Sequence, residues 1–564
     1  MATTGTAVAT TPREVWAQAL ARARLPGSVT LQGWRAEHGP EHLRLQKVAR
    51  GLQAPARPAK RLYAGAQYDR TTADWTAQGT SADTEIITSL RPLRNRSRQL
   101  CRDNEYAKNA KRTVMLNVVG QGIGLQAQVK KRRGDAFDTK VNDRIEAEWK
   151  HWTDPRRCHA AGRLSWAGIQ QVVMNSVFES GELLLRLVPK RFGDSRVPLG
   201  LELIESDQIV DTWNGRSSDT GNEIRMGVEV DQWQRPVAYW LYPRHPGDFL
   251  AGATMTSQNY IRVPAEEIIH IALFDRPYQT RGVPWMHATL VKLRHMGGYE
   301  EAEIVAARAG AAIMGFRQRP EIDIPGEGGD DADDVMNGER VTDMTPGIIL
   351  DLEPGETFQG FAPNRPNAAL DPFMRFMLRS VAAGVGVSYE SLSRDYSQSN
   401  YSSSRLSLLT DRDLWRVLQQ WLIETLCQPL FERWLEMAVL AGVLDLPAFE
   451  TQPEIYQAVR WSPRGWKWVD PVKEGAAAKS DVRSGFETLT NYHAEQGGDF
   501  EEYCRQRRDE LAMARRYGLV LDTDPAQVND KGAAQAAAAP AEPGGAADDD
   551  QTPSAPSATD TNPD

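Results

Sequence analysis

The chain has 564 residues, 41% of them hydrophobic and 25% charged, with a formal net charge of −9. That balance belongs to a globular protein larger than one ordinary core, so roughly two to four subdomains are expected. No apolar run approaches the ~18 residues needed to cross a bilayer, so no membrane partner is expected. Residues 532–564 carry six acids and no bases, which leaves only −3 on the rest of the chain. A body this near neutral disfavours a sequence-specific DNA-binding protein, which needs a strongly basic face. The start, MATTGTAVATTPREVW, lacks a basic segment followed by an apolar one, so no secretory leader is read and residence in a cytoplasm is expected. Cys101, Cys158, Cys427 and Cys504 are spaced neither as a disulfide framework nor as a zinc site, and buried or idle thiols are expected.

Residues 1–60 mix short helical patterns with the basic segment ARGLQAPARPAKR and read as a partly ordered arm. A helical unit follows over 84–119, bearing Arg91, Arg94, Arg96, Arg98, Arg102, Lys108, Lys111 and Arg112. Such a cluster either grips phosphate or an acidic neighbour, or is a solvated face. The glycines of VVGQGIG are spaced G-x-G-x-G, which is not a dinucleotide fingerprint and predicts a helix end and a turn. Further helices are predicted over 143–152 and 165–179, and the runs ELLLRLVP, LGLELIES, RMGVEV and VAYWLYP then predict a β-rich subdomain over 180–275. EVDQWQRPVAYW reads as a hairpin turning at 231–236. His270, with apolar neighbours on both sides, reads as a hydrogen-bonded core or interface histidine.

Pro284 is expected to open a helix of about 34 residues, ~50 Å long. Its second half holds Ala306, Ala309, Gly310 and Ala311, small side chains that let helix axes approach closely. Residues 319–346 are acidic and Gly-rich, with Glu321, Asp323, Asp330, Asp331, Asp333 and Asp334 close together. They lack the ligand order of a calcium loop, so a partner-facing lobe is expected and no metal. GIILDLEPGETFQGF reads as strand, turn and return strand.

The chain is organised around residues 371–442. A helix stopped by Gly384 and Gly386 leads into a loop too rich in Ser, Tyr and Gly to pack, and then into a very long helix kinked at Pro429. Leu406, Leu409, Trp415, Leu418, Leu422, Leu426, Leu430, Trp434, Met437 and Leu440 give that helix an apolar stripe. A loop held between two rods is presented at a fixed radius. Beyond it, Trp461, Trp466 and Trp468 read as packing under a surface loop, and two more helical stretches precede the acidic tail, which is too polar to fold.

Catalytic signatures are missing: no G-x-S-x-G elbow, P-loop, H-E-x-x-H or paired CxxC occurs. No catalytic residue, cofactor or metal is expected. The alternative kept open is a cytoplasmic carbohydrate-active hydrolase using the aromatic clusters and a carboxylate pair.

RNRSRQLCRDNEYAKNA, GVEVDQWQRPVAYW, IIHIALFDRPYQTRGVPW, LRSVAAGVGVSYESLSRDYSQSNYSSSR and WVDPVKEGAAA resemble the portal proteins of tailed bacteriophages, specifically the phage lambda family. The resemblance spans residues 60–520 and implies a mainly helical α+β fold that closes into a ring of twelve subunits at one capsid vertex. It implies a wing at 61–283, a first stem helix at 284–317, a clip at 318–370 and a second stem helix at 371–386. A tunnel loop at 387–401, a long helix of wing and crown at 402–441, a helical crown region at 442–531 and a disordered tail at 532–564 complete it. The implied channel surface is Ser388, Tyr389, Ser391, Ser393, Arg394, Asp395, Tyr396, Gln398, Asn400 and Tyr401. The acidic clip residues would dock the terminase large subunit and later the head-tail connector proteins, while major capsid and scaffold proteins surround the ring. Double-stranded DNA would pass non-specifically. The loop composition agrees with that last expectation, because each fixed cation in a channel adds a retention term and this loop has only Arg394, beside Glu390 and Asp395.

Overall fold

The computed structural model describes residues 79–131, 137–248, 260–317, 369–466 and 471–519, together with 70, 74, 335–336, 339–340, 348–351 and 521. The chain divides into two units, 1–79 and 80–564, and every helix and strand described belongs to the second. The acidic lobe 321–334, Trp468, the return strand after residue 351 and the tail lie outside the described residues. No helix among those described is long and apolar enough to cross a membrane.

The basic helical region is two helices, α1 (Ala82–Asp103) and α2 (Glu105–Val118). Asn104 makes the break: its backbone is extended, and its side chain accepts from the Ala107 N–H at 3.0 Å to start the second helix. Beyond α2, Gly120 at φ 59° and Gly122 at φ 112° form the expected helix end and turn. Strand β1 (Gly124–Ala127), helix α3 (Thr139–Trp152) and helix α4 (Trp166–Ser180) follow, the last capped by the Ser165 side chain.

The β-rich region holds two antiparallel sheets. β2 (Glu182–Val188) lies between β3 (Gly200–Glu205) and β9 (Ile268–Ala272). The second sheet runs β4 (Gly215–Arg216), β5 (Glu223–Arg225), β6 (Val228–Val230), β7 (Pro236–Leu241) and β8 (Ile261–Pro264) in order. The predicted hairpin is β6–β7, and Asp231 closes it by accepting from the Trp233 and Arg235 N–H groups at 2.8 Å each.

The elements from residue 284 onward depart from the sequence expectation. Trp285–Ala288 is a 3₁₀ turn, α5 occupies only Leu290–Ala312, and the chain then becomes strand β10 (Ile313–Arg317). Thr289 ends the turn by donating its hydroxyl to the Met286 carbonyl, and β-prone Ile313 and Phe316 favour the strand, which pairs parallel with β13 (Ile348–Asp351). Between them β11 (Val335–Met336) and β12 (Glu339–Arg340) form a short antiparallel pair. Helix α6 (Leu370–Val385) stops at Gly386, whose φ is 82°. Gly384 sits inside the helix for another reason: a Cβ there would lie 2.3 Å from Thr289 Cγ2, so it permits the close crossing of the turn before α5.

The long rod is two α-helices, α8 (Tyr401–Leu422) and α9 (Gln428–Leu440), joined without a break by a π turn at Ile423–Cys427; a short helix α7 (Tyr389–Ser393) precedes them. The Gln428 N–H reaches the Ile423 carbonyl five residues back, so Pro429, which has no N–H, enters where the ladder is already shifted. The apolar stripe is buried only from Trp415 to Ala438; Leu406, Leu409 and Leu440 are exposed. At the centre of the core Trp149 meets Trp434 edge-on at 5.0 Å, and Phe431 stacks on Trp434 at 5.8 Å. β14 (Val459–Ser462) pairs with β1, and α10 (Pro471–Ser484), α11 (Leu489–Glu495) and α12 (Phe500–Arg516) finish the described chain. Trp461 and Trp466 are packed as expected, their indole N–H groups donating to Gln428 at 2.9 Å and Asn117 at 3.1 Å.

Candidate channel loop and its supports

The loop between α6 and α8 is anchored over its first half, a correction to the expectation of a segment too polar to pack. Val387 and Leu392 are buried, and the two serine hydroxyls between them share one partner, Asp411 of α8. The carboxylate of Asp411, itself buried, accepts from the Ser388 N–H at 2.8 Å and from the Ser388 and Ser391 hydroxyls at 2.7 Å each. From the other side Asn109 of α2 donates to the Ser391 and Leu392 carbonyls at 2.9 and 2.7 Å. Ser393 donates to the Tyr389 carbonyl at 2.8 Å. Ser388, Ser391 and Ser393 therefore spend their hydroxyls on holding the turn rather than on a channel surface.

Arg394, at φ 60°, turns the chain, and its guanidinium reaches Asn109 at 3.3 Å and Thr113 at 3.4 Å. Asp395 accepts from the Ser397 N–H at 3.0 Å and from the Tyr389 hydroxyl at 2.8 Å. The Ser397 contacts first, then the phenol, hold its carboxyl down to about 2, so it stays ionised. Tyr389 is raised by burial and then by that same charge, and the Arg379 guanidinium lies 5.5 Å from its ring centre. The exposed half is Tyr396, Ser397, Gln398, Asn400 and Tyr401, ending where Asn400 and Ser403 cap α8 reciprocally.

Around this loop the helices leave apolar side chains uncovered within the chain: Val291, Ile304 and Val305 on α5, Phe373 and Phe376 on α6, Leu406, Leu409 and Val417 on α8. Phe376 is 67% exposed and Leu406 68%. Gly297 and Gly298, in the middle of α5, have no atom within 4 Å of where a Cβ would stand. Ala306 is half-buried, and Ala309, Gly310 and Ala311 complete α5.

The basic cluster resolves into internal pairs. Arg91 bonds Asp211 at 2.9 Å, Arg98 meets Asp207 at 2.5 Å, Arg102 bonds Asp103 and Lys111 bonds Glu179 at 2.6 Å. Arg94 is buried against Asp207 at 3.2 Å and Glu182 at 3.7 Å. Arg96, Lys108 and Arg112 are exposed, and Arg91 and Arg102 keep much of their side chains in solvent beside their partners.

Glu182 is the electrostatic centre of the β-rich region. Its Oε1 accepts from Arg281 Nε at 2.9 Å and Nη2 at 2.5 Å; its Oε2 accepts from the Gly282 N–H at 2.8 Å and lies 3.0 Å from His270 Nε2. His270 is thus the expected hydrogen-bonded core histidine. Burial alone pushes the Glu182 carboxyl up, but the Arg281 and His270 contacts outweigh it and hold it well below the usual range. Gly181 and Gly282 let the two backbones touch: a Cβ on either would lie 2.4 or 2.2 Å from the other segment. The sequence marks RPYQTRGVPW without showing why, and it does not reveal Asp411, Asn109 and Glu182, which look like ordinary surface residues until their partners are known. Glu205, Asp207 and His245 come together nearby, but the Arg98 guanidinium already lies 2.5 Å from Asp207 and 3.7 Å from Glu205, so a cation has no place there.

The site is thus an anchored turn between stiff helices, bordered by uncovered apolar helix faces. The profile of the family described as phage portal protein, lambda family, matches residues 68–419. The chain is 32% identical over 484 residues to the probable portal protein of Halomonas phage phiHAP-1, covering 82% of this chain and 90% of that one. It is 22% identical over 488 residues to portal protein B of Escherichia phage lambda, covering 79% and 88%. A chain from the neck of a native gene transfer agent particle, computed with C12 symmetry, is similar at 14% identity and a TM-score of 0.33, covering 75% of this chain and 95% of that one. This chain belongs to the lambda family of phage portal proteins.

Proposed function

We propose that twelve copies of this chain close into a ring at one vertex of a viral capsid, assembled in the host cytoplasm, and that double-stranded DNA passes through its axis during packaging and ejection. The observation that carries the reading is the set of apolar side chains left uncovered on α5, α6 and α8, in a chain that belongs to a portal family. Exposed Phe and Leu at i, i+3 spacing need a partner helix, and a ring repeats one heterologous contact until it closes. Residues 284–317 and 371–386 are read as the stem, 318–370 as the clip and 387–401 as the tunnel loop. The surface offered to DNA is then Tyr396, Gln398, Asn400 and Tyr401, with the exposed Arg394 tethered beside them by Asn109 and Thr113. Hydroxyl and amide groups there slide past phosphate without fixing it.

The acidic residues Glu321, Asp323, Asp330, Asp331, Asp333 and Asp334 are read as the docking face for the terminase large subunit and then for head-tail connector proteins. Major capsid and scaffold proteins surround the wing. The chain works without catalysing a reaction: Trp461 and Trp466, the platform a carbohydrate-active hydrolase would need, are engaged in packing. Light scattering with negative-stain imaging tests the ring. Twelve chains of 62.8 kDa give an annulus of about 750 kDa. A protein that stays monomeric at all concentrations, even beside scaffold and capsid proteins, refutes the reading.

A further inference from the structure

A second surface lies away from the stem, between α9 and the wing. Here β9 is an edge strand of its sheet, and α9 runs beside it to leave a cleft of about 1040 Å³. Its floor is apolar, built from Ile268, Pro429, Val439 and Leu440, with Phe449 at one end. Leu440 is 74% exposed, the most open large aliphatic side chain on the long rod. Four carboxylates line the same cleft: Glu266, Glu432, Glu436 and Glu450. One cation faces them, Arg433, and it is already bonded to Glu436 at 2.5 Å. Four acids against one base leave three negative charges around an apolar trough.

We propose that this cleft docks a basic amphipathic helix from a partner protein. An apolar floor flanked by carboxylates is complementary to a helix that carries leucine-like side chains on one face and lysine or arginine on both sides of it. The floor along α9 from Pro429 to Leu440 spans about 17 Å, which seats about three helical turns. The cleft is lined within one protomer, so dispersed and assembled protein can both be tested.

The experiment uses the full-length protein and three fluorescein-labelled 18-residue peptides with leucine at positions i, i+3, i+4 and i+7. The polar face is lysine in the first, glutamine in the second and glutamate in the third. Anisotropy titrations should show the lysine peptide binding, the glutamine peptide binding at least tenfold more weakly and the glutamate peptide not at all. Higher salt should weaken only the first. The variant Glu266→Gln/Glu450→Gln, at two residues with no ion pair among those described, should weaken the lysine peptide about fivefold, and Leu440→Asp should remove binding.

Equal binding of the lysine and glutamine peptides overturns the proposal. So does lysine-peptide binding that is unchanged in both variants, which would assign it to the acidic segments at 321–334 or 532–564. Binding by dispersed protomers that assembled protein refuses also overturns it, because the cleft would then belong to a neighbouring copy. Particle mass measured alongside separates these outcomes from a failure to assemble.

Discussion

Replacing Glu182 by Gln keeps the shape of the side chain and removes its charge. In the native protein that carboxylate is fully buried, faces a fully buried Arg281, and lies 3.7 Å from a second buried guanidinium, Arg94. Neutralising one partner of such a group strands the other charge away from water, which costs ~3–5 kcal/mol. Taking about 4 kcal/mol, at 1.36 kcal/mol per decade, opening of the sheet around β2 should become about a thousandfold more frequent. Hydrogen exchange of the β2 amides, followed by mass spectrometry, reads that factor directly.

The double variant Glu182→Gln/Arg281→Met should recover about tenfold or more, since it removes the stranded charge. Its recovery is partial, because the Arg281 contacts to the Met226 and Ser206 carbonyls are lost with it. The folded Glu182 carboxyl titrates below the unfolded value of about 4.3, so its contribution is complete above that pH and fades as pH falls through the folded range. Glu182→Gln should therefore show a shallower acid loss below about pH 4. Exchange within about threefold of the native rate in Glu182→Gln, or no recovery in the double variant, refutes the reasoning.

Three further outcomes are expected. Asp411→Ala removes the acceptor of three loop hydrogen bonds and should loosen residues 388–401 by about 3 kcal/mol, seen as roughly hundredfold faster tryptic cleavage after Arg394; an unchanged rate means the anchor lies elsewhere. Gly181→Ala places a Cβ 2.4 Å from the Val283 carbonyl carbon at φ 90°, and soluble yield and thermal midpoint should fall by the equivalent of ~3 kcal/mol or more; native behaviour would show that the crossing yields. Of the four cysteines only Cys504 is exposed, while burial pushes the Cys101 and Cys158 thiols up to about 12, so a thiol reagent should label one site in native protein and four in denaturant.

Periodicity and turn chemistry are legible from the residues alone. The β6–β7 hairpin, the strands of the β-rich region, the helix end at Gly120 and the packed state of His270 all follow from local pattern. What sequence cannot supply is pairing across distance. Asp411 lies 23 residues from Ser388, and Asn109 lies 282 from Ser391, so a serine-rich loop that reads as free is tied down by groups no local window contains. The basic helix shows the same limit, since Arg94, Arg98 and Lys111 look solvent-bound until Glu182, Asp207 and Glu179 arrive from other elements. The helix expected over 284–317 reads too long because alanine-rich sequence runs directly into Ile313–Arg317, where a partner strand decides the conformation.

The wide turn at Ile423–Cys427 carries a consequence for how the rod is aimed. It holds one residue more than a regular spiral needs, so the half bearing Leu406 and the half bearing Trp434 point in directions offset by roughly 100° from where an unbroken helix would place them. Removing a single residue there would relax the turn and leave both faces as they are, whereas winding all five residues into regular helix would turn the outward leucines by that angle relative to the buried half. The chain would keep every side chain that makes contact and lose the angle at which it offers them.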